Sequence, residues 1–168
     1  MATIRCYDED GRAFPVSPEA ITFRPAVYGI FIENEAVLLM RHPRTERWQP
    51  PGGILGDVDT PTQAVRHHFR NLTGITPVLG PLLCSEERYV LDSERRAWHL
   101  SPLYYALERP PMTATTLAEL SGEQETSRVP LADLRREDMQ FGYDAVQAAI
   151  LRLGPGHGAL RTPPPLTG

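Results

Sequence analysis

Apolar and polar positions change their period several times along the chain, and each change marks an element. Ala26–Ile32 (AVYGIFI) is a continuous apolar run, Glu33-Asn34-Glu35 is polar, and Ala36–Met40 is apolar again, which predicts a β-hairpin. After Pro61 the period lengthens: Ala64, Val65, Phe69 and Leu72 recur at helical spacing. Thr60 or Asp59 can cap that helix, Pro61 suits its first turn, and Gly74 supplies a left-handed stop. Thr76–Val90 predicts one or two strands broken at Gly80-Pro81. Asp92–Arg96 is a polar turn, and Ala97–Leu107 is a further strand run carrying Trp98, Tyr104 and Tyr105. Alternation in these strands is weak, as expected where both faces are covered. Tyr143, Val146, Ile150 and Leu153 define an amphipathic closing helix.

The ends read differently. Residues 1–20 mix charges with Pro15 and Pro18 and predict a loosely ordered lead-in, with one short strand near Thr3–Tyr7. Gly154–Gly168 is rich in proline and glycine and predicts a disordered tail. The domain is expected over residues 21–153.

Length and composition narrow the function. A chain of 168 residues suits one domain with a core of useful size. A formal net charge of −4 argues against broad nucleic-acid binding, which needs a basic face. No run of eighteen apolar residues is present, so no membrane span is expected. The opening MATIRCYDEDGR lacks the apolar core of a signal peptide, and a cytoplasmic location is expected. Cys6 and Cys84 show no metal-type spacing and are expected as reduced thiols. All seventeen cationic residues are arginine, which excludes a lysine nucleophile or a Walker-type lysine. Arg41, His42, Arg44 and Arg47 lead into Trp48. A cationic rim for phosphates and a solvated loop both fit them, and Arg41, next to a strand end, is the leading phosphate candidate.

The stretch Trp48–Ile75, WQPPGGILGDVDTPTQAVRHHFRNLTGI, joins a glycine break, a short acidic loop and the capped helix. In spacing it resembles the box of the Nudix family: Gly, five residues, Glu, seven residues, then Arg-Glu-hydrophobic-x-Glu-Glu-x-Gly-hydrophobic. Laid on Gly53, the frame closes without a gap at Gly74-Ile75, with Phe69 on the inner hydrophobic position. Asp59 takes the first Glu position, His67 the Arg, His68 the Glu beside it, and Asn71 and Leu72 the final Glu pair. The flanking hairpin and the Phe141-Gly-Tyr-Asp144 phrase before the closing helix add to the resemblance.

The resemblance implies an α/β Nudix fold, a mixed sheet between helices with the box as loop–helix–loop. It also implies a nucleotide-like ligand and, in intact boxes, helix carboxylates that hold Mg²⁺ against a diphosphate. Carried over residue by residue, it makes Asp59, His68 and Glu125 catalytic candidates, with Asp59 and His68 as metal ligands if a divalent ion binds. Arg41, Gly52, Gly53 and Trp98 become ligand-binding candidates. A hard cation such as Mg²⁺ prefers oxygen ligands, and imidazole, amide and leucine are poor replacements. No cofactor is therefore assigned; Mg²⁺ or Mn²⁺ would serve if activity survives. The leading expectation is a nucleotide-binding protein related to nucleoside-diphosphate-X pyrophosphohydrolases whose Mg²⁺-dependent hydrolysis is weak or lost. The alternatives are an active hydrolase of a nucleoside diphosphate derivative, such as ADP-ribose, with rearranged ligands, and a non-catalytic interaction domain.

Overall fold

The computed structural model describes residues 2–111 and 126–154. Its spine is a 13-residue strand, β3 (Ile21–Glu33), apolar through its centre and buried there on both faces. β3 runs parallel to β9 (Ala97–Glu108), in register from Ile21 opposite Ala97 to Phe31 opposite Leu107. Its other edge pairs antiparallel with β6 (Gly52–Ile54) and, at the far end, with β4 (Ala36–Arg41). β4 in turn pairs with β5 (Trp48–Gln49) and β10 (Thr126–Pro130). Beyond β9 come β7 (Val78–Ser85) and β8 (Arg88–Leu91), then β1 (Ile4–Tyr7) and β2 (Ala13–Val16). The whole is one mixed sheet of ten strands.

A helix covers each face. Helix α1 (Pro61–Thr73) sets Val65 and Phe69 against Val27, Phe31 and Leu107. Helix α2 (Tyr143–Leu153) sets Val146 and Ala149 against Ala26, Tyr28, Ile30 and Tyr104. The expected α/β arrangement, a mixed sheet between helices, is what the chain forms. None of the described helices is long and apolar enough to cross a membrane.

Local chemistry fixes the ends of α1. Thr60 is the N-cap: its hydroxyl accepts from the Gln63 N–H at 3.3 Å, and the Gln63 carboxamide accepts from the Thr60 N–H at 3.4 Å. Pro61 occupies the first turn, where a missing N–H costs nothing. Gly74 ends the helix at φ +78° and donates to the Arg70 carbonyl. The β3–β4 hairpin turns through Asn34 and Glu35 at φ +51° and +62°.

Two expectations are corrected. Residues 1–20 hold more than the one short strand expected near Thr3–Tyr7: β1 lies there, β2 pairs with it in an antiparallel hairpin, and β1 joins the sheet beside β8. Cys6 explains the attachment, since it is fully buried against Leu91 and Ala97. The Asp8 carboxylate accepts from the Asp10 and Arg12 N–H groups and closes the turn. Gly80-Pro81 does not break β7 but sits at a shift in its register with β9, and the true break falls at Glu86-Glu87. After β10 the chain makes a turn over 131–133 and a single 3-10 turn at Arg136–Asp138. Glu125 and the expected tail beyond Gly154 lie outside the described residues.

The α1-side core depends on Phe69, which is 1% exposed and packs on Phe31 with ring centroids 5.0 Å apart. Phe69→Ala is expected to lower unfolding free energy by about 3–5 kcal/mol in a denaturant titration, the usual range for a core phenylalanine.

Candidate functional site

The site begins where the chain leaves β5 and turns through Pro50 and Pro51, both fully buried. The Pro51 carbonyl accepts from Gly29 N–H at 2.9 Å, pinning the turn to the middle of β3. Gly52 follows at φ +151°, and a Cβ there would lie 2.1 Å from the Val27 carbonyl oxygen, so only glycine lets β6 dock. Gly53 sits under α1: a Cβ built on it would meet His68 Cε1 at 3.2 Å. The glycine pair, β3 and His68 therefore come together as the box spacing predicts.

The helix flank above this strand carries no carboxylate. His68 is half buried, and burial pushes its imidazole below the ordinary 6.5; His67 adds to this, and Asp59 pulls weakly the other way. Burial thus favours the neutral form of His68. His67 turns instead to Asn71, with Nε2 3.0 Å from the carboxamide nitrogen. Leu72 is 8% exposed, so the last position of the box faces protein rather than solvent. Asp59 lies exposed in the loop before the helix. Among the described residues no three His, Cys, Asp or Glu side chains are grouped to hold a metal ion. The donor set, one imidazole and one loop carboxylate, does not fit Mg²⁺, which takes oxygen ligands in octahedral geometry.

The remaining candidates disperse. Arg41 lays its guanidinium over Trp48, Cζ 4.2 Å from the ring centroid, and donates to the Glu46 carbonyl at 2.9 Å. It stands at the β4–β5 pairing, outside the glycine strand. Trp98 pairs with Thr22, six residues before the Tyr28 that faces Gly52, so it lies about 20 Å along the sheet at ~3.3 Å per residue.

A groove of about 190 Å³, which sequence reasoning did not find, opens on the α2 side of β3. Tyr28 links it to the box, because its Cδ1 would lie 2.7 Å from a Cβ on Gly52. Phe141 meets Tyr28 edge to face at 4.8 Å, and Arg88 lies over Phe141 with Cζ 4.4 Å from the centroid. Tyr104 stacks on Tyr28 at 5.6 Å and donates to Glu86 at 2.9 Å; burial drives its phenol far above the ordinary range. Asp8, Glu9 and Asp92 also line the groove, and each carboxylate is already engaged. Asp8 serves its turn, Glu9 pairs with Arg44, and Asp92 accepts from Trp98, from the Arg96 side chain and from two backbone N–H groups. Burial raises the Asp92 carboxyl, but those four donors outweigh it and hold it at about 2. Among the described residues Arg88 has no carboxylate partner, so it is the groove's uncommitted charge. The signal for this groove was spread over β3, β8 and the Gln140-Phe141 turn, and no local spacing joins them.

This arrangement matches known structures. A MutT NUDIX hydrolase from Burkholderia pseudomallei superimposes with a TM-score of 0.53 at 17% identity, covering 68% of this chain and 88% of that one. NrtR from Shewanella oneidensis gives 0.57 at 18%, covering 78% and 62%. A UDP-X diphosphatase gives 0.54 at 16%, covering 76% and 61%, so this chain spans about three fifths of the length of these last two. The chain has the Nudix fold. No protein-family profile matches the sequence, and no curated protein matches it.

Two outcomes follow from this geometry. Leu72→Glu alone is expected to cost on the order of 2–5 kcal/mol, the scale of losing a buried leucine, with the desolvated carboxylate adding to it; urea unfolding measures it. His68 and His42 both have imidazoles lowered by burial, so the unfolded chain takes up their protons first. Stability should be fully present above pH 6.5 and fall as pH drops through the folded values. His68→Gln should flatten that acid slope in melting temperature between pH 7 and pH 5.

Proposed function

We propose that the protein binds a nucleotide-like small molecule, a nucleoside diphosphate derivative, and that Mg²⁺-dependent hydrolysis is weak or lost. The observation that carries the reading is the flank of α1, where positions 68, 71 and 72 hold His, Asn and a buried Leu. Mg²⁺ would bridge a diphosphate poorly to such a flank, because among the described residues only the loop carboxylate of Asp59 stands near it.

Binding is supported by what the fold retains. The glycine strand keeps its docking on β3, and the adjoining groove offers aromatic rings for a base and the uncommitted Arg88 for an anionic group. In this reading the base stacks at Phe141 and Tyr28 while the phosphates run towards Gly52 and Gly53. Structural neighbours include a UDP-X diphosphatase, whose name gives a nucleoside diphosphate derivative as its substrate class.

Calorimetry with ADP-ribose is expected to give the same affinity in EDTA and in Mg²⁺, and Phe141→Ala should weaken it about tenfold or more, roughly 1.4 kcal/mol. Phosphorus NMR of the same samples should show substrate unchanged. Turnover near 1 s⁻¹ with Mg²⁺, at the low end of ordinary enzymes, would overturn the reading. Turnover that needs Mn²⁺ and disappears in His68→Ala would instead establish rearranged ligands, since imidazole suits transition ions.

A further inference from the structure

Trp98 takes no part in the groove or the glycine strand, yet it lines a cleft of its own. The cleft, about 260 Å³, lies between the β2–β3 connection and the β8–β9 turn. Val16, Leu91 and Ala97 give it apolar lining, and Arg95 and Arg96 reach it from the turn. Trp98 is half buried, and its orientation is fixed by the Nε1–H···Asp92 Oδ2 bond at 3.0 Å.

Two guanidiniums flank the Trp98 ring: Arg24 and Arg96 each place Cζ 5.7 Å from its centroid, while Arg95, in the cleft lining, lies over Phe14 at 4.2 Å. Arg96 is committed to Asp92 and Glu94. Among the described residues Arg95 and Arg24, the latter beside the ring and outside the cleft lining, have no carboxylate partner. Arg95 also holds a left-handed backbone, φ +66°, where asparagine or glycine would sit with less strain. Turn geometry alone gives no reason for arginine at that position.

We infer that this cleft binds a base-bearing phosphate monoester, with the base stacked on Trp98 and the phosphate taken by Arg24 and Arg95. An indole face holds any nucleobase, and guanidinium forks match phosphate oxygens. The volume, near the lower end of ligand pockets at roughly 300 Å³, suits one base and one phosphate. The cleft shares Leu91 with the Tyr28 groove, but neither Tyr28 nor Phe141 lines it, and the inference does not depend on what that groove binds. Free mononucleotides and the end of a single strand share this chemistry.

The test follows Trp98 fluorescence in a Trp48→Phe background while AMP, adenosine, inorganic phosphate or a short single-stranded DNA is added. The Trp98 indole N–H resonance in the unsubstituted protein gives the same reading should that variant fail to fold. AMP should produce a saturable change, with adenosine and phosphate each binding at least tenfold more weakly. Arg95→Asn, which suits the turn, should weaken AMP at least tenfold without lowering the melting temperature. Phe141→Ala should leave AMP binding at this cleft intact. A DNA strand that displaces AMP at lower concentration supports the site and names the strand end as its source. No saturable change with millimolar AMP, a response untouched by Arg95→Asn, or one abolished by Phe141→Ala would each overturn the assignment.

Discussion

The structure depends on the burial of both faces of β3. A strand that is apolar at successive positions has no solvent face, so something must cover each side. Odd positions Val27 and Phe31 require α1, even positions Ala26, Tyr28 and Ile30 require α2, and β9 and β6 satisfy the two hydrogen-bonding edges. Gly29, in the middle, is bare because a Cβ would lie 2.2 Å from Leu107 Cδ1, so β9 packs there without clearance. The box is one consequence of this arrangement. Its glycine strand is the β3 edge partner and its helix is the β3 cover, so the frame is set by packing on β3 whatever chemistry its side chains carry.

That separation of frame from chemistry explains what was legible in the sequence. The β3–β4 hairpin, α1 with its Thr60 cap and Gly74 stop, β9 and α2 all announce themselves by local period and by turn residues, and the structure has them. Of the N-terminal hairpin only β1 was legible, as the short strand near Thr3–Tyr7; β2 is four residues long and carries Pro15, so no strand period shows there. The hairpin's attachment is a long-range fact, a single buried thiol against Leu91 and Ala97, seconded by Arg44 bonding to Glu9 and by Gln140 donating to the Glu9 carbonyl at 2.9 Å.

The candidate site was legible only in part, for a related reason. Gly52, Gly53 and His68 share a frame set by one continuous stretch, and the fold brings them together. Arg41 and Trp98 were chosen by residue type and neighbourhood, which say nothing about distance across a sheet. A parallel register with β3 carries Trp98 to the opposite end from the glycines. Phe141, Arg88 and Tyr28 meet only because β8, β3 and the turn before α2 converge, and no spacing along the chain encodes that.

Charge distribution supplies the last constraint. The acidic residues of this chain are largely spent on structure near the two openings. Glu9 and Asp10 hold Arg44, Asp92 holds the β8–β9 turn and Trp98, and Glu94 takes Arg96. Arg88 in the groove, Arg95 in the cleft and Arg24 beside Trp98 have no carboxylate partner among the described residues. An intact Nudix box presents carboxylates and recruits anions through a metal. The α1 flank carries no carboxylate, and a guanidinium can meet an anion with no ion between. With acid absent from α1 and unpaired arginine beside Phe141 and Trp98, the proposed binding of an anion would rest on guanidinium rather than on a metal.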